Sequence, residues 1–104
     1  MHEIKFTEQA LQDIKGLPKF IKKQIQATID RIVIDPRSEA FELYRDLKGL
    51  WSCHIGDYRI VYEIGQVIIV YGIGHRKDIY ISSFLQQRAE EMRKKGLENE
   101  DYHI

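Results

Sequence analysis

Apolar residues follow two different spacings along this chain. From Trp51 to Tyr80 the sequence reads WSCHIGDYRIVYEIGQVIIVYGIGHRKDIY, dense in β-branched and aromatic residues and interrupted by Gly56-Asp57 and Gly65-Gln66. That pattern predicts three antiparallel strands over residues 51–55, 58–64 and 67–75, joined by two-residue hairpin turns. Such turns set a register: Ile55 opposite Tyr58, His54 opposite Arg59, Ile64 opposite Val67, Val61 opposite Val70 and Arg59 opposite Gly72. Alternation then sorts the side chains. One face collects Trp51, Cys53, Ile55, Tyr58, Ile60, Tyr62, Ile64, Val67, Ile69, Tyr71 and Ile73. The other carries Ser52, His54, Arg59, Val61, Glu63, Ile68, Val70, Gly72, Gly74 and Arg76, where two glycines are expected to leave room beside the cations.

The rest of the chain has mainly helical spacing. Residues 2–7 alternate as a first strand, and Thr7 suits the N-cap of a short helix with Ala10, Leu11 and Ile14 inward, ending at Gly16. After Pro18, the positions Ile21, Ile25, Thr28, Ile29 and Ile32 mark a second amphipathic helix that stops before Asp35-Pro36. Residues 36–41 read as a loop and 41–45 as a short strand. Ile81, Phe84, Leu85, Ala89 and Met92 form a third helical stripe, and residues 96–104 read as a flexible tail. The helical hairpin needs an apolar partner and the sheet needs a cover. An α+β fold is the consequence, with an antiparallel sheet packed against an N-terminal helical hairpin, a C-terminal helix, and one domain over residues 1–95.

Length and charge narrow the function. The chain has 104 residues, and its sixteen basic and sixteen acidic side chains cancel, so any anion must be recognised locally rather than by a global field. No apolar run reaches membrane-spanning length, and residues 1–9 lack the basic and apolar sections of a signal peptide; a cytoplasmic location is expected. Cys53 falls on the core face and reads as a small buried hydrophobe. His2, His54, His75 and His103 are scattered without metal-ligand spacing, so neither metal nor cofactor is expected. There is no nucleophile elbow, and GIGHR lacks the lysine and following helix of a P-loop. What remains is the face carrying His54, Arg59 and Arg76. Guanidinium groups suit a scissile phosphate, and RNA supplies its own 2′-hydroxyl nucleophile, so the protein needs a base and an acid. His54 titrates in the range for either role, and Tyr80 or Tyr102 can stack on a nucleobase or exchange a proton. The plainer reading of the same face pairs Arg59 with Glu63 or Asp57 and leaves His54 an exposed strand residue.

The order of strand, helical hairpin, LKGLW, GDYRIVYEI and VIIVYGIGHRKDIY resembles the RelE/ParE superfamily of toxins from type II toxin-antitoxin systems, over residues 1–81. For the RelE-like branch the resemblance implies a metal-independent endoribonuclease, an mRNA interferase that cuts message in the ribosomal A site, inhibits translation and is neutralised by a cognate antitoxin. Arg59 and Arg76 match arginines that such enzymes place on the phosphate, and Tyr80 resembles their late tyrosine. Where the family commonly carries Lys or Arg on the preceding strand, this chain has Ser52 and His54; Lys48 before that strand and Lys77 beside Arg76 are further substrate-binding candidates. The same superfamily includes ParE-like gyrase poisons without nuclease activity, and an inactive antitoxin-binding module is a third reading.

Overall fold

The computed structural model describes residues 1–79. The predicted third helix, Tyr80, Tyr102, His103 and the tail lie outside them. The element order is β1 (Glu3–Phe6), α1 (Glu8–Lys15), α2 (Lys19–Ile32), β2 (Ala40–Glu42), a 3-10 turn (Arg45–Leu47), β3 (Leu50–Ile55), β4 (Tyr58–Ile64), β5 (Val67–His75) and α3 (Arg76–Ile79). The strands form one sheet in the order β1-β5-β4-β3-β2. It is antiparallel except at one edge, where β1 runs parallel to β5.

Thr7 caps α1 as its sequence position predicts, with its hydroxyl accepting from the Ala10 N–H at 3.1 Å. The same hydroxyl donates to the Tyr71 carbonyl at 3.3 Å. Beyond the end of β1, the Asp13 carboxylate accepts the Ile73 N–H at 3.0 Å. Side chains of the cap and of α1 thereby take up ladder groups of β5 that the shorter β1 does not reach.

The helical hairpin covers one face of the sheet as expected. Phe6, Ala10, Ile21, Ile25, Ile29 and Ile32 pack against Cys53, Ile60, Tyr62, Ile68, Val70 and Ile73. Tyr62 is fully buried, and its hydroxyl donates to the Pro36 carbonyl at 2.6 Å, tying the chain after α2 to β4. Burial pushes that phenol far above its ordinary range, so it stays protonated.

The second hairpin departs from the expected register. Gly56-Asp57 makes the predicted two-residue turn: Ile55 faces Tyr58, His54 faces Arg59, and Gly56 takes the left-handed φ of 57° that the first position of a type II′ turn requires. At Gly65-Gln66, however, Ile64 pairs with Ile68 rather than Val67, which makes a three-residue connection. A β-bulge then separates the pairs Tyr62–Val70 and Val61–Gly72, leaving Tyr71 as the inserted residue. Arg59 therefore lies opposite Gly74, not Gly72. Each irregularity reverses the facing of the strand residues beyond it. Ile68 and Val70 are in the helix-covered core where Ile69 and Tyr71 were expected, whereas Ile73 returns to its expected side.

The opposite face is correspondingly not an open cationic surface. Leu50, Val61, Tyr71 and Ile79 form a second, smaller buried cluster in its middle, flanked by Leu43, Leu47 and Ile69. The short strand expected over residues 41–45 is Ala40–Glu42 instead, followed by the 3-10 turn. Among the described residues, no helix is long and apolar enough to cross a membrane.

Candidate functional site

The chemistry-bearing residues gather at one end of the sheet, around the Gly56-Asp57 turn. Cross-strand pairing puts His54 beside Arg59 on the face bearing the smaller core. Arg59 folds back onto the turn: its Nη1 donates to the Gly56 carbonyl at 2.8 Å and to the Tyr58 carbonyl at 2.9 Å. These acceptors are neutral, so they orient the guanidinium without cancelling its charge.

Arg76 reaches the same turn from the end of β5. It opens α3 rather than lying on the strand, its N–H donates to the Asp57 carbonyl at 2.7 Å, and its Nε stands 3.4 Å from Asp57 Oδ1. Both partners of that ion pair are more than half exposed, at 55% and 67%, so the pair is screened and a phosphate can compete for the guanidinium. Arg76 can turn in this way because α3 folds back across β5. A Cβ at Gly74 would meet Ile79 Cδ1 at 3.4 Å, so the room expected beside the cations is partly taken up by Ile79.

His54 is exposed, and its ring lies 5.2 Å from that of Phe41 at an interplanar angle of 40°. Desolvation, then the charge of Arg59, lowers its pKa from the ordinary 6.5. The imidazole is therefore mainly neutral near pH 7, which suits a proton acceptor better than a cationic clamp. The carboxylates expected beside Arg59 are engaged elsewhere. Glu63 accepts from the Tyr71 hydroxyl at 2.8 Å, and Asp57 faces Arg76.

The remaining candidates fall differently. Lys77 is exposed on α3 next to Arg76, and its N–H donates to His75 Nδ1 at 3.1 Å. Ser52 is only 1% exposed, lying in β3 between Phe41 of the edge strand and the buried Val61 of β4; this corrects its reading as a surface substrate contact. Lys48 precedes β3 at the Leu50–Glu63 end, six residues from His54 and about 20 Å away along an extended strand, so the fold does not bring it to the arginines. Cys53 is buried as expected, and burial raises its thiol pKa. Among the described residues no group of histidine, cysteine or acidic side chains is arranged to hold a metal ion.

Sequence reasoning passed over Phe41 as part of the site and weighed Asp57 only as a partner of Arg59, whereas it pairs with Arg76. Phe41 reaches the His54 face only because β2 pairs Phe41 with Ser52, a register set by no turn motif. Asp57 was legible as a turn residue, but its contact with Arg76 depends on the path of α3. Beside His54 on the helix side, a groove of about 360 Å³ is lined by Gln24, Ala27, Thr28, Arg31, Ile55 and Gly56. Arg31 there is already paired with Glu39 at 3.0 Å.

Comparison with known proteins sets this geometry in context. A family model described as the ParE toxin of type II toxin-antitoxin system, parDE, matches residues 4–80. Toxin RelG of Mycobacterium tuberculosis (strain ATCC 25618 / H37Rv) is 26% identical over 83 residues, covering 76% of this chain and 95% of RelG. The toxin-antitoxin complex RelBE2 of Mycobacterium tuberculosis matches with a TM-score of 0.67 and 25% identity, over 72% of this chain and 98% of that chain. Free E. coli RelE, as a double arginine-to-alanine variant, matches with a TM-score of 0.69 over 88% of this chain and 97% of that one; at 21% identity it speaks for the fold alone.

Proposed function

This chain belongs to the ParE toxin family of type II toxin-antitoxin systems, and from that premise we propose that it is a RelE-like, ribosome-dependent endoribonuclease that cuts mRNA in the A site. The observation that carries the reading is that the pairing of His54 with Arg59, the hydrogen bond of Arg59 to the Gly56 carbonyl and the ion pair of Arg76 with Asp57 all fall at the Gly56-Asp57 turn. In the proposed step, Arg59 and Arg76 hold the nonbridging oxygens of the scissile phosphate and stabilise the charge that grows on them. Neutral His54 takes the proton of the 2′-hydroxyl, the 2′-oxygen bonds to phosphorus, and the bond to the 5′-oxygen breaks. That oxygen leaves with a proton from an acid, for which Tyr80 is the candidate; the products are a 2′,3′-cyclic phosphate and a 5′-hydroxyl. RNA supplies the nucleophile and the protein the positive charge, so the scheme calls for no metal. Lys77 extends the positive surface next to Arg76.

A cognate antitoxin is the protein partner, in keeping with the complex of RelBE2 to which this chain is similar. Primer extension on ribosome-bound message tests the activity: codon-spaced stops are expected with the toxin and none when the antitoxin is added. The ParE description of the family model favours a second reading, a gyrase poison that cuts nothing. Loss of gyrase supercoiling activity with no cleavage of message would replace the first reading by the second. Absence of both effects would leave an antitoxin-binding module.

A further inference from the structure

Phe41 is a large apolar side chain left 63% exposed on β2, an edge strand of the sheet. Single exposed hydrophobic residues are common on protein surfaces, so exposure alone means little. Its position is more specific. Phe41 opposes Ser52, and its ring rests near the imidazole of His54, which in turn opposes Arg59, which opposes Gly74 two residues before Arg76. On one face, and on successive strands, the sheet thus presents an aromatic ring, a neutral imidazole and a guanidinium. Neighbouring strands lie about 4.8 Å apart, so the row spans about 10 Å, the scale of a nucleoside with its phosphate.

We propose that Phe41 is a nucleobase-stacking subsite, which holds a base of the message while the phosphate attached to it lies on Arg59 and Arg76. The inference rests on the endoribonuclease reading and adds to it a binding role for β2. Contact with His54 braces one side of the ring, while most of its surface stays in water. Every base has a π-face, so such a platform binds with little sequence preference. A nucleobase is favoured over a protein side chain because the exposed ring sits in a row with the phosphate-binding groups.

Phe41→Trp and Phe41→Leu test it, since an exposed edge-strand position tolerates both. In cleavage of ribosome-bound message, Phe41→Trp should stay within about threefold of the parent. Phe41→Leu should lose roughly 5- to 150-fold in kcat/KM, mainly through KM, the range that one base-aromatic stack contributes. Emission of the new indole, corrected for Trp51 by the parent's signal, should be quenched saturably by a short deoxyoligonucleotide, which lacks the 2′-hydroxyl and cannot be cut. Parent-like cleavage by Phe41→Leu overturns the subsite, as does loss of antitoxin binding alone, which would assign the ring to the protein partner. If the parent itself cuts no message, the nuclease reading fails separately. The subsite then stands on saturable quenching and falls without it.

Discussion

At the scale of residues, Arg76 and Arg59 differ in how they are held. Arg76 offers an exposed guanidinium across from a single carboxylate, whereas Arg59 is half-buried and anchored by two backbone carbonyls. Arg76→Ala is therefore expected to abolish toxicity and RNA cleavage with the melting temperature nearly unchanged; Arg59→Ala should have the smaller effect on cleavage. Growth assays and a thermal melt check both, and full toxicity in both variants would refute the assignment. His54 makes a signed prediction about pH. Its folded pKa is lowered, so the unfolded chain binds more protons in the acid range; the stability present above the ordinary histidine value of 6.5 is lost as pH falls from there through the lowered folded value. A base with that lowered pKa should place the acid limb of the rate profile below pH 6.5, with a plateau above it. His54→Ala should remove the limb, and Arg59→Gln should move the His54 NMR titration upward, since Arg59 is one cause of the shift.

At the scale of elements, two features position the site. The first is the Gly56 turn, which folds β3 onto β4. A Cβ at Gly56 would meet nothing within 4 Å, so Gly56→Ala costs only the left-handed backbone conformation. That is about 1–3 kcal/mol of unfolding free energy by chemical denaturation, with the turn retained. The second is the docking of α1 on β5. Asp13→Ala deprives the Ile73 N–H of its acceptor and is expected to destabilise by about 1–3 kcal/mol, whereas Asp13→Asn, which keeps an amide oxygen, should restore part of this. The two hairpins also differ in how much of them the sequence reveals. Gly-Asp between alternating apolar runs specifies its turn locally, so the pair His54–Arg59 is legible without coordinates. The β4–β5 connection combines a three-residue turn with a bulge at Tyr71. Neither has a local signal strong enough to outweigh the simpler alternation, and the bulge brings Tyr71 onto the face of Leu50, Val61 and Ile79.

At the scale of the whole molecule, zero formal net charge makes anion binding a local matter. If Arg59, Arg76 and Lys77 supply the phosphate contacts, affinity for a short single strand should fall with salt at a log-log slope of about −2. A slope steeper than about −4 would show that the lysines of α2 take part. Alternation, helical spacing, the Thr7 cap and the Gly56-Asp57 turn are local properties, and by themselves they determined strands β1, β3, β4 and β5, the helical hairpin, the helix-covered face of β3 and β4, and the closeness of His54 to Arg59. Only tertiary structure decided the parallel pairing of β1 with β5, the burial of Ser52, the second core on the reverse face, and the gathering of Arg76 and Phe41 at opposite sides of His54 and Arg59. Those outcomes depend on strand partners distant in sequence and on one inserted residue, and short-range periodicity encodes neither.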